Sequence, residues 1–123
     1  LLVLDPDGPA GAASLGRLAG RHPLPATVTA VTGNAEAAHT HHFYRLPAGV
    51  RAVPRPLRSA PGFAEFPAVD VKGSGGYVVG AGSVHASGGV YRWEREPASI
   101  DDCTPAPDWM LRLLCEPERT EYA

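Results

Sequence analysis

Short apolar runs alternate with turn-forming residues along most of the chain. The opening run, 1–4, ends at the Asp-Pro-Asp-Gly sequence of 5–8, which predicts a buried strand that leads into a functional loop. Leucines and alanines fall on one helical face of 11–21, which predicts a short amphipathic helix that ends near Gly20. A central strand at the very first residue normally needs a preceding element, so we expect that an N-terminal portion is missing.

The rest of the chain is dominated by short strands. A β-branched run at 27–32 and an aromatic run at 41–46 predict a hairpin. Asp108 is in the position of a helix cap, before a C-terminal helix rich in leucine. Together these elements predict an α+β domain with a mainly antiparallel sheet and few helices. Four further strand-like segments, separated by glycine- and serine-rich turns, follow at 69–71, 77–79, 83–85 and 90–93. The last three predict a meander.

Composition narrows the class of protein. The 123 residues suit one compact domain, and no apolar run approaches the length of a membrane span. A formal charge of −2 excludes a strongly basic, histone-like nucleic-acid binder, although not an enzyme with a local basic patch. Cys103 and Cys115 lack the spacing of a disulfide framework or metal site, which favours free thiols in a reducing, cytoplasmic compartment.

Three aspartates are candidate metal ligands. Asp5 and Asp7 are two residues apart at the end of an apolar strand, so in an extended segment they point to the same side. Asp70 lies between two valines of a later strand, where an aspartate is disfavoured unless it is paired, liganded or facing solvent. Mg²⁺ and Mn²⁺ prefer such carboxylate oxygens. Each aspartate alone is also explained by a solvated turn or a solvent-facing position.

Two groups of imidazole and hydroxyl side chains follow. His39 and His41 share one face of an extended segment and His42 lies on the other, which leaves open a phosphate contact, a zinc site or a surface pair. Ser83 and His85 repeat this alternation between glycine-rich turns and are placed to hold the phosphates or sugar of a nucleotide. A serine nucleophile is disfavoured because no Gly-x-Ser-x-Gly elbow is present.

The order of these blocks resembles a known family. The chain reads LVLDPD, then TVTAVTG and THHFYRLPAG, then VDVKGSGGYVVGAGSVHASGGVYRW. This series is similar to the bifunctional DNA primase/polymerase (prim-pol) domain, a member of the archaeo-eukaryotic primase superfamily. The resemblance covers about residues 2–93, and PAPDWMLRLL is similar to the helix that closes such domains. It implies a catalytic core, partial at its N-terminus, over 1–97 and a closing helix with an acidic tail over 98–123.

The resemblance also implies roles for individual residues. Asp5, Asp7 and Asp70 would bind two divalent ions, Mg²⁺ or Mn²⁺, and His41 would act with them in catalysis by contacting the phosphates of the incoming nucleotide. His39 and His42 remain alternatives, because the family's usual Gly-Gly before the histidine is absent here. The implied fold has a core related to the RNA-recognition motif. Three further residues would complete the nucleotide pocket: Arg45, Ser83 and His85.

The function implied is template-dependent nucleotidyl transfer from nucleoside triphosphates to a DNA primer, in the replication of a plasmid, phage or other mobile element. DNA template and primer are the expected partners, with a fused or separate helicase, and no membrane is involved. The alternative is a truncated remnant that binds nucleotide or nucleic acid without turnover, and activity of the isolated chain is left open. A metal-dependent phosphodiesterase would share the carboxylates but would not explain the block at 83–85.

Charge is unevenly distributed along the chain. Residues 45–58 contain four arginines and no acidic residue, whereas 94–121 contain eight acidic residues and three arginines. The basic segment either attracts template phosphates, with the salt dependence of such contacts, or forms a solvated proline-rich loop. The sequence supports the two interpretations equally.

Overall fold

The computed structural model describes residues 1–32, 40–73, 91–93 and 102–118. These residues form strands, two α-helices (α1 and α2) and a short 3₁₀ helix at Leu57–Ser59. The bounds in chain order are β1 Leu2–Pro6, α1 Gly8–Ala19, β2 Val28–Thr32, β3 Thr40–Arg45, β4 Val50–Ala52, β5 Arg55–Pro56, β6 Val69–Gly73, β7 Tyr91–Trp93, β8 Thr104–Pro105, α2 Asp108–Leu114 and β9 Cys115–Pro117.

Most of the strands belong to one sheet, in the order β5-β6-β1-β3-β2-β7. Every neighbouring pair along this order is antiparallel. β8 adds a short parallel pairing to the end of β3, and β4 pairs with β9 in a separate two-stranded sheet. The predicted α+β class with a mainly antiparallel sheet is therefore confirmed, as is the predicted pairing of the second and third strands.

The two faces of the sheet have different roles. Alternate residues of β1 point to opposite faces, and Leu2 and Leu4 are fully buried on one of them. That face packs against α1 and α2 through the larger core cluster, which includes Leu18 and Met110. The opposite face carries a smaller apolar cluster that includes Val3 of β1. The next residue of β1 on the same side as Val3 is Asp5, so the candidate carboxylate lies on the face opposite the two helices.

A tight turn before β6 fixes where the third aspartate enters the sheet. Ala68 has a left-handed φ of 62°, and its carbonyl accepts a hydrogen bond of 2.7 Å from the Asp7 amide. The Ser14 hydroxyl of α1 donates to the Pro67 carbonyl at 2.6 Å. Gly11 of α1 is buried against the same turn. The turn therefore ties together the end of β1, the start of α1 and the strand that carries Asp70.

We expect Ala68→Gly to raise the free energy of unfolding, because a left-handed alanine costs about 1 kcal/mol that glycine avoids. The gain is reduced by the greater entropy that glycine has in the unfolded chain. Ala68→Val is the matched control, since a β-branched side chain tolerates positive φ least and should lower stability. Urea unfolding of the three proteins measures both changes. If the glycine variant is less stable than the parent and the valine variant is unchanged, the inference that Ala68 is strained is wrong.

Several boundaries differ from those predicted. β1 extends beyond the run 1–4 to Pro6, and α1 begins at Gly8 because prolines are tolerated in the first turn of a helix. Asp108 is the first residue of α2 and does not cap it; Pro107 holds the cap position. Of the predicted meander, 77–79 and 83–85 lie outside the described residues, whereas β7 pairs with β2. The short strands missed by the sequence prediction are β4, β5, β8 and β9.

Both cysteines are free, as predicted. Burial raises the pKa of the Cys103 thiol and that of the Cys115 thiol, so neither is an activated nucleophile. Among the helices that the structure describes, none has the length and apolar character needed to cross a membrane.

Candidate active site

Two of the predicted metal ligands face each other across the sheet. Asp5 of β1 is the direct antiparallel partner of Asp70 of β6. Opposed residues of an antiparallel pair carry their side chains on the same face, with Cβ atoms about 5 Å apart. Two carboxylates in this position repel each other unless a cation lies close by. The register therefore favours a positive charge close to Asp5 and Asp70.

Asp7 lies just beyond the end of β1. Its backbone is still extended, with φ −110° and ψ 113°, and its side chain is exposed. Because extended residues two apart point to the same side, Asp7 continues the line of Asp5. It occupies the cap position of α1 but makes no side-chain cap hydrogen bond there. The side chain of Asp7 therefore does not cap α1.

Two basic side chains contact Asp5. Nε2 of His41, on β3, lies 3.2 Å from one carboxylate oxygen, and Nζ of Lys72, on β6, lies 2.7 Å from the other. The side chains of Asp5 and His41 are each only 14% exposed, whereas that of Lys72 is 53% exposed. The strand order explains this cluster, since β1 lies between β6 and β3 and receives one basic side chain from each neighbour.

These contacts change the acidity of Asp5. Burial on its own would raise the pKa of the Asp5 carboxyl, but the hydrogen bonds and charges of His41 and Lys72 outweigh it and lower the pKa to about 2. The carboxylate is therefore ionised at neutral pH, with one oxygen in contact with His41 and the other in contact with Lys72.

The lowered pKa of Asp5 predicts a specific acid sensitivity. A carboxyl whose pKa is lower in the folded than in the unfolded state stabilises the fold above its unfolded pKa, here 3.8. That contribution, about 2 kcal/mol, is lost as the pH falls from about 4 to about 2. We expect Asp5→Asn to lose less stability than the parent chain over this range in urea unfolding. Parallel pH profiles for the two proteins would contradict the assignment.

The donor set fits a hard divalent cation, although the side chains are not gathered around one point. Within 1–32, 40–73, 91–93 and 102–118, no group of three histidine, cysteine, aspartate or glutamate side chains is placed to hold a metal ion. Asp5 and Asp70 are opposed across β1 and β6, and Asp7 and Asp70 are exposed. Exposed carboxylates change rotamer without disturbing the core, and their oxygens are the ligands that Mg²⁺ and Mn²⁺ prefer. In this structure the ammonium group of Lys72 is the cation in contact with one carboxylate oxygen of Asp5.

The structure separates the neighbouring histidines. His42 faces away from Asp5, and its ring nitrogens lie 3.4 Å from the Thr29 hydroxyl and 2.9 Å from the Thr40 hydroxyl. His41 is the histidine beside the carboxylate. His39, the other alternative, lies outside the described residues.

Arg45, another predicted nucleotide contact, lies away from this cluster. Arg45 ends β3 four residues after His41, about 13 Å farther along the strand. It lines a separate cleft with Leu46 and Leu111. An arginine at that end of β3 would reach a different part of a substrate from His41. Ser83 and His85 lie outside the described residues.

The basic segment 45–58 is partly neutralised by the C-terminal part of the chain. Arg51 of β4 forms an ion pair with Glu116 of β9, with its Nε 2.7 Å from the carboxylate. Arg55 donates a hydrogen bond of 2.7 Å to the Leu113 carbonyl at the end of α2. The segment is not a plain loop, because it contains β4, β5 and the start of the 3₁₀ helix at Leu57–Ser59. Arg51 and Arg55 therefore contact protein groups.

Lys72 is the site residue that the sequence analysis did not single out. In the sequence Lys72 directly precedes a glycine-rich stretch. The signal was the alternation Val-Asp-Val-Lys, which places Lys72 on the same face of the strand as Asp70. Recognising its partner also required knowledge of which strand lies beside β6.

Comparison with known protein families gives one match. The family described as "Bifunctional DNA primase/polymerase, N-terminal" has a sequence model that matches residues 1–109. Comparison with curated proteins and with solved structures gives no match. The matched range includes both strands that carry the opposed carboxylates, and β3 with His41.

Proposed function

This chain belongs to the bifunctional DNA primase/polymerase N-terminal family, and we propose that it carries out template-dependent nucleotidyl transfer with two divalent ions. Primase/polymerase function follows from the family. We further propose the two divalent ions, the residues that bind them and the biological setting. The proposed setting is replication of a plasmid, phage or other mobile element, with nucleoside triphosphates, a primed DNA template and a helicase as partners.

The observation that carries the proposal is the pairing of Asp5 with Asp70 in adjacent strands, beside His41. A fold gains nothing in stability from opposing two carboxylates, since like charges across a sheet are destabilising. Such an arrangement is typical of a site that is completed by a cation. Asp7, two residues beyond Asp5, supplies the third carboxylate.

In this proposal Asp5, Asp7 and Asp70 hold the divalent ions. Ions held by these aspartates would supply Lewis-acid chemistry, which would lower the pKa of the attacking 3′-hydroxyl and neutralise the leaving pyrophosphate. His41 is held by Asp5 in the orientation shown and donates a hydrogen bond to a phosphate of the incoming nucleotide. We also propose that Ser83 and His85 contact the nucleotide, as the family resemblance implies. Arg45 is proposed to contact the nucleotide at a point farther along β3 than His41.

The proposal is tested by nucleotide incorporation. The full chain is incubated with a primed DNA template, labelled deoxynucleoside triphosphates and Mn²⁺ or Mg²⁺, with a chelator as the control. We expect extension of the primer that depends on the divalent ion and on the template sequence. Metal-dependent nucleotide binding without incorporation would overturn the catalytic proposal in favour of a binding function.

A further inference from the structure

We propose that Lys72 is a built-in counter-ion of the carboxylate site, which occupies Asp5 when no divalent ion is bound and is displaced when one binds. The inference rests on the proposed function, because it takes Asp5 and Asp70 as the carboxylates that bind the ion. It adds a positioning residue that acts on metal affinity.

The position of Lys72 supports this role. It lies two residues after Asp70 on β6 and opposite Val3 on β1, so its side chain approaches Asp5 diagonally across the sheet. Its ammonium nitrogen is 2.7 Å from the Asp5 oxygen that His41 does not contact. The ammonium group therefore supplies the positive charge that the opposed pair of aspartates needs.

The ammonium group and a divalent ion compete for the same oxygen. The ammonium group of lysine has three hydrogen-bond donors and no lone pair, so it cannot bind a metal ion. It therefore cannot remain on Asp5 as a ligand of the ion. Two cations in adjacent positions also repel each other. Binding of the ion therefore requires that the Lys72 head group moves.

The exposure of the two basic side chains indicates which one moves. The side chain of Lys72 is 53% exposed, whereas that of His41 is 14% exposed. When the ammonium group of an exposed lysine leaves an ion pair for water, little free energy is lost. On its strand Lys72 stays on the face of the site, where the ammonium group is available to the negatively charged triphosphate once it leaves Asp5.

The sequence makes the inference directly measurable, because Lys72 is the only lysine in the chain. Protein grown with lysine labelled with ¹³C at Cε gives one side-chain signal, which belongs to Lys72. We expect this signal in the metal-free protein to differ from that of free lysine, and to move toward the free position as Mg²⁺ is added. In Asp5→Asn it should start near the free position. A signal that stays unchanged while Mg²⁺ saturates the site would overturn the proposal.

A matched pair of variants tests the competition by a second route. Lys72→Met removes the charge and keeps most of the chain length, whereas Lys72→Arg keeps the charge. We expect Mn²⁺, titrated without nucleotide, to bind Lys72→Met about fivefold more tightly than the parent, the size expected of a partly exposed ion pair. Lys72→Arg should bind as the parent does. Equal affinities for all three proteins would overturn the role of Lys72.

Failure of this inference is distinguishable from failure of the proposed function. If Asp70→Asn abolishes Mn²⁺ binding but both Lys72 variants bind like the parent, the carboxylate site stands and the counter-ion role is wrong. If Mn²⁺ binds Asp70→Asn as tightly as the parent, the carboxylate site itself is wrong, and the counter-ion role is wrong with it.

Discussion

Asp70→Asn is expected to lower the rate of nucleotide incorporation by about 10³-fold, since a ligand carboxylate lost from a metal site removes several kcal/mol of transition-state stabilisation. The same change should leave the free energy of unfolding unchanged or slightly higher. Asp70 is exposed and lies opposite Asp5, so its neutralisation removes a repulsion without creating a cavity. Steady-state incorporation and urea unfolding, measured on the same preparation, test both parts.

The opposite responses of activity and stability separate a functional aspartate from a structural one. Glu65→Gln is the matched control, because Glu65 is another exposed carboxylate, and its ion pair with Arg21 lies away from the site. That variant should keep full activity, and its stability should change little, as is usual for exposed ion pairs. An active Asp70→Asn variant would show that the opposed carboxylates are not the metal site.

The second large effect is expected at Gly11, on stability. A Cβ atom at this position would lie 2.5 Å from the Ala68 carbonyl oxygen and 2.8 Å from the Pro6 carbonyl carbon, both of them backbone atoms that cannot rotate away. We expect Gly11→Ala to lower the free energy of unfolding by about 2 kcal/mol or more, the range typical of overpacking. Because α1 would be pushed from the turn before β6, incorporation should fall as well.

Gly16 supplies the control within the same helix. A Cβ atom there meets nothing within 4 Å. Gly16→Ala should therefore raise the free energy of unfolding by about 0.5–1 kcal/mol, because alanine favours the helix over glycine. Urea unfolding of the two variants gives the comparison. Two stabilised variants would mean that α1 does not pack against the turn as closely as the structure indicates.

Local sequence patterns predict much of this fold. The apolar run before Asp5, the β-branched run at 27–32 and the leucine-rich C-terminal helix all correspond to elements close to their predicted bounds. These signals succeed because each depends on side chains that are near one another in sequence. The α+β class follows from the same patterns.

Those local patterns do not predict the arrangement of the strands in the sheet. β1 lies between β3 and β6, and nothing in the local sequence indicates that the residues paired with it are 38 or more positions away. The opposed pair of Asp5 and Asp70 depends on that register, as does the contact of Lys72 with Asp5. The short strands β4 and β9 were missed because each has only three residues and the two strands are far apart in sequence, with Arg51 and Glu116 separated by 65 positions. Sequence reasoning thus found candidate ligands, while the register determines which of them meet.

The most direct test of the carboxylate site is a titration of the full chain with Mn²⁺, with and without a deoxynucleoside triphosphate, in parallel with Asp5→Ala and Asp70→Ala. Circular dichroism first confirms that each variant is folded. We expect nucleotide binding that requires Mn²⁺ in the parent chain and is lost in both variants. Metal-dependent nucleotide binding that persists in either variant would contradict the assignment of these aspartates as the metal site.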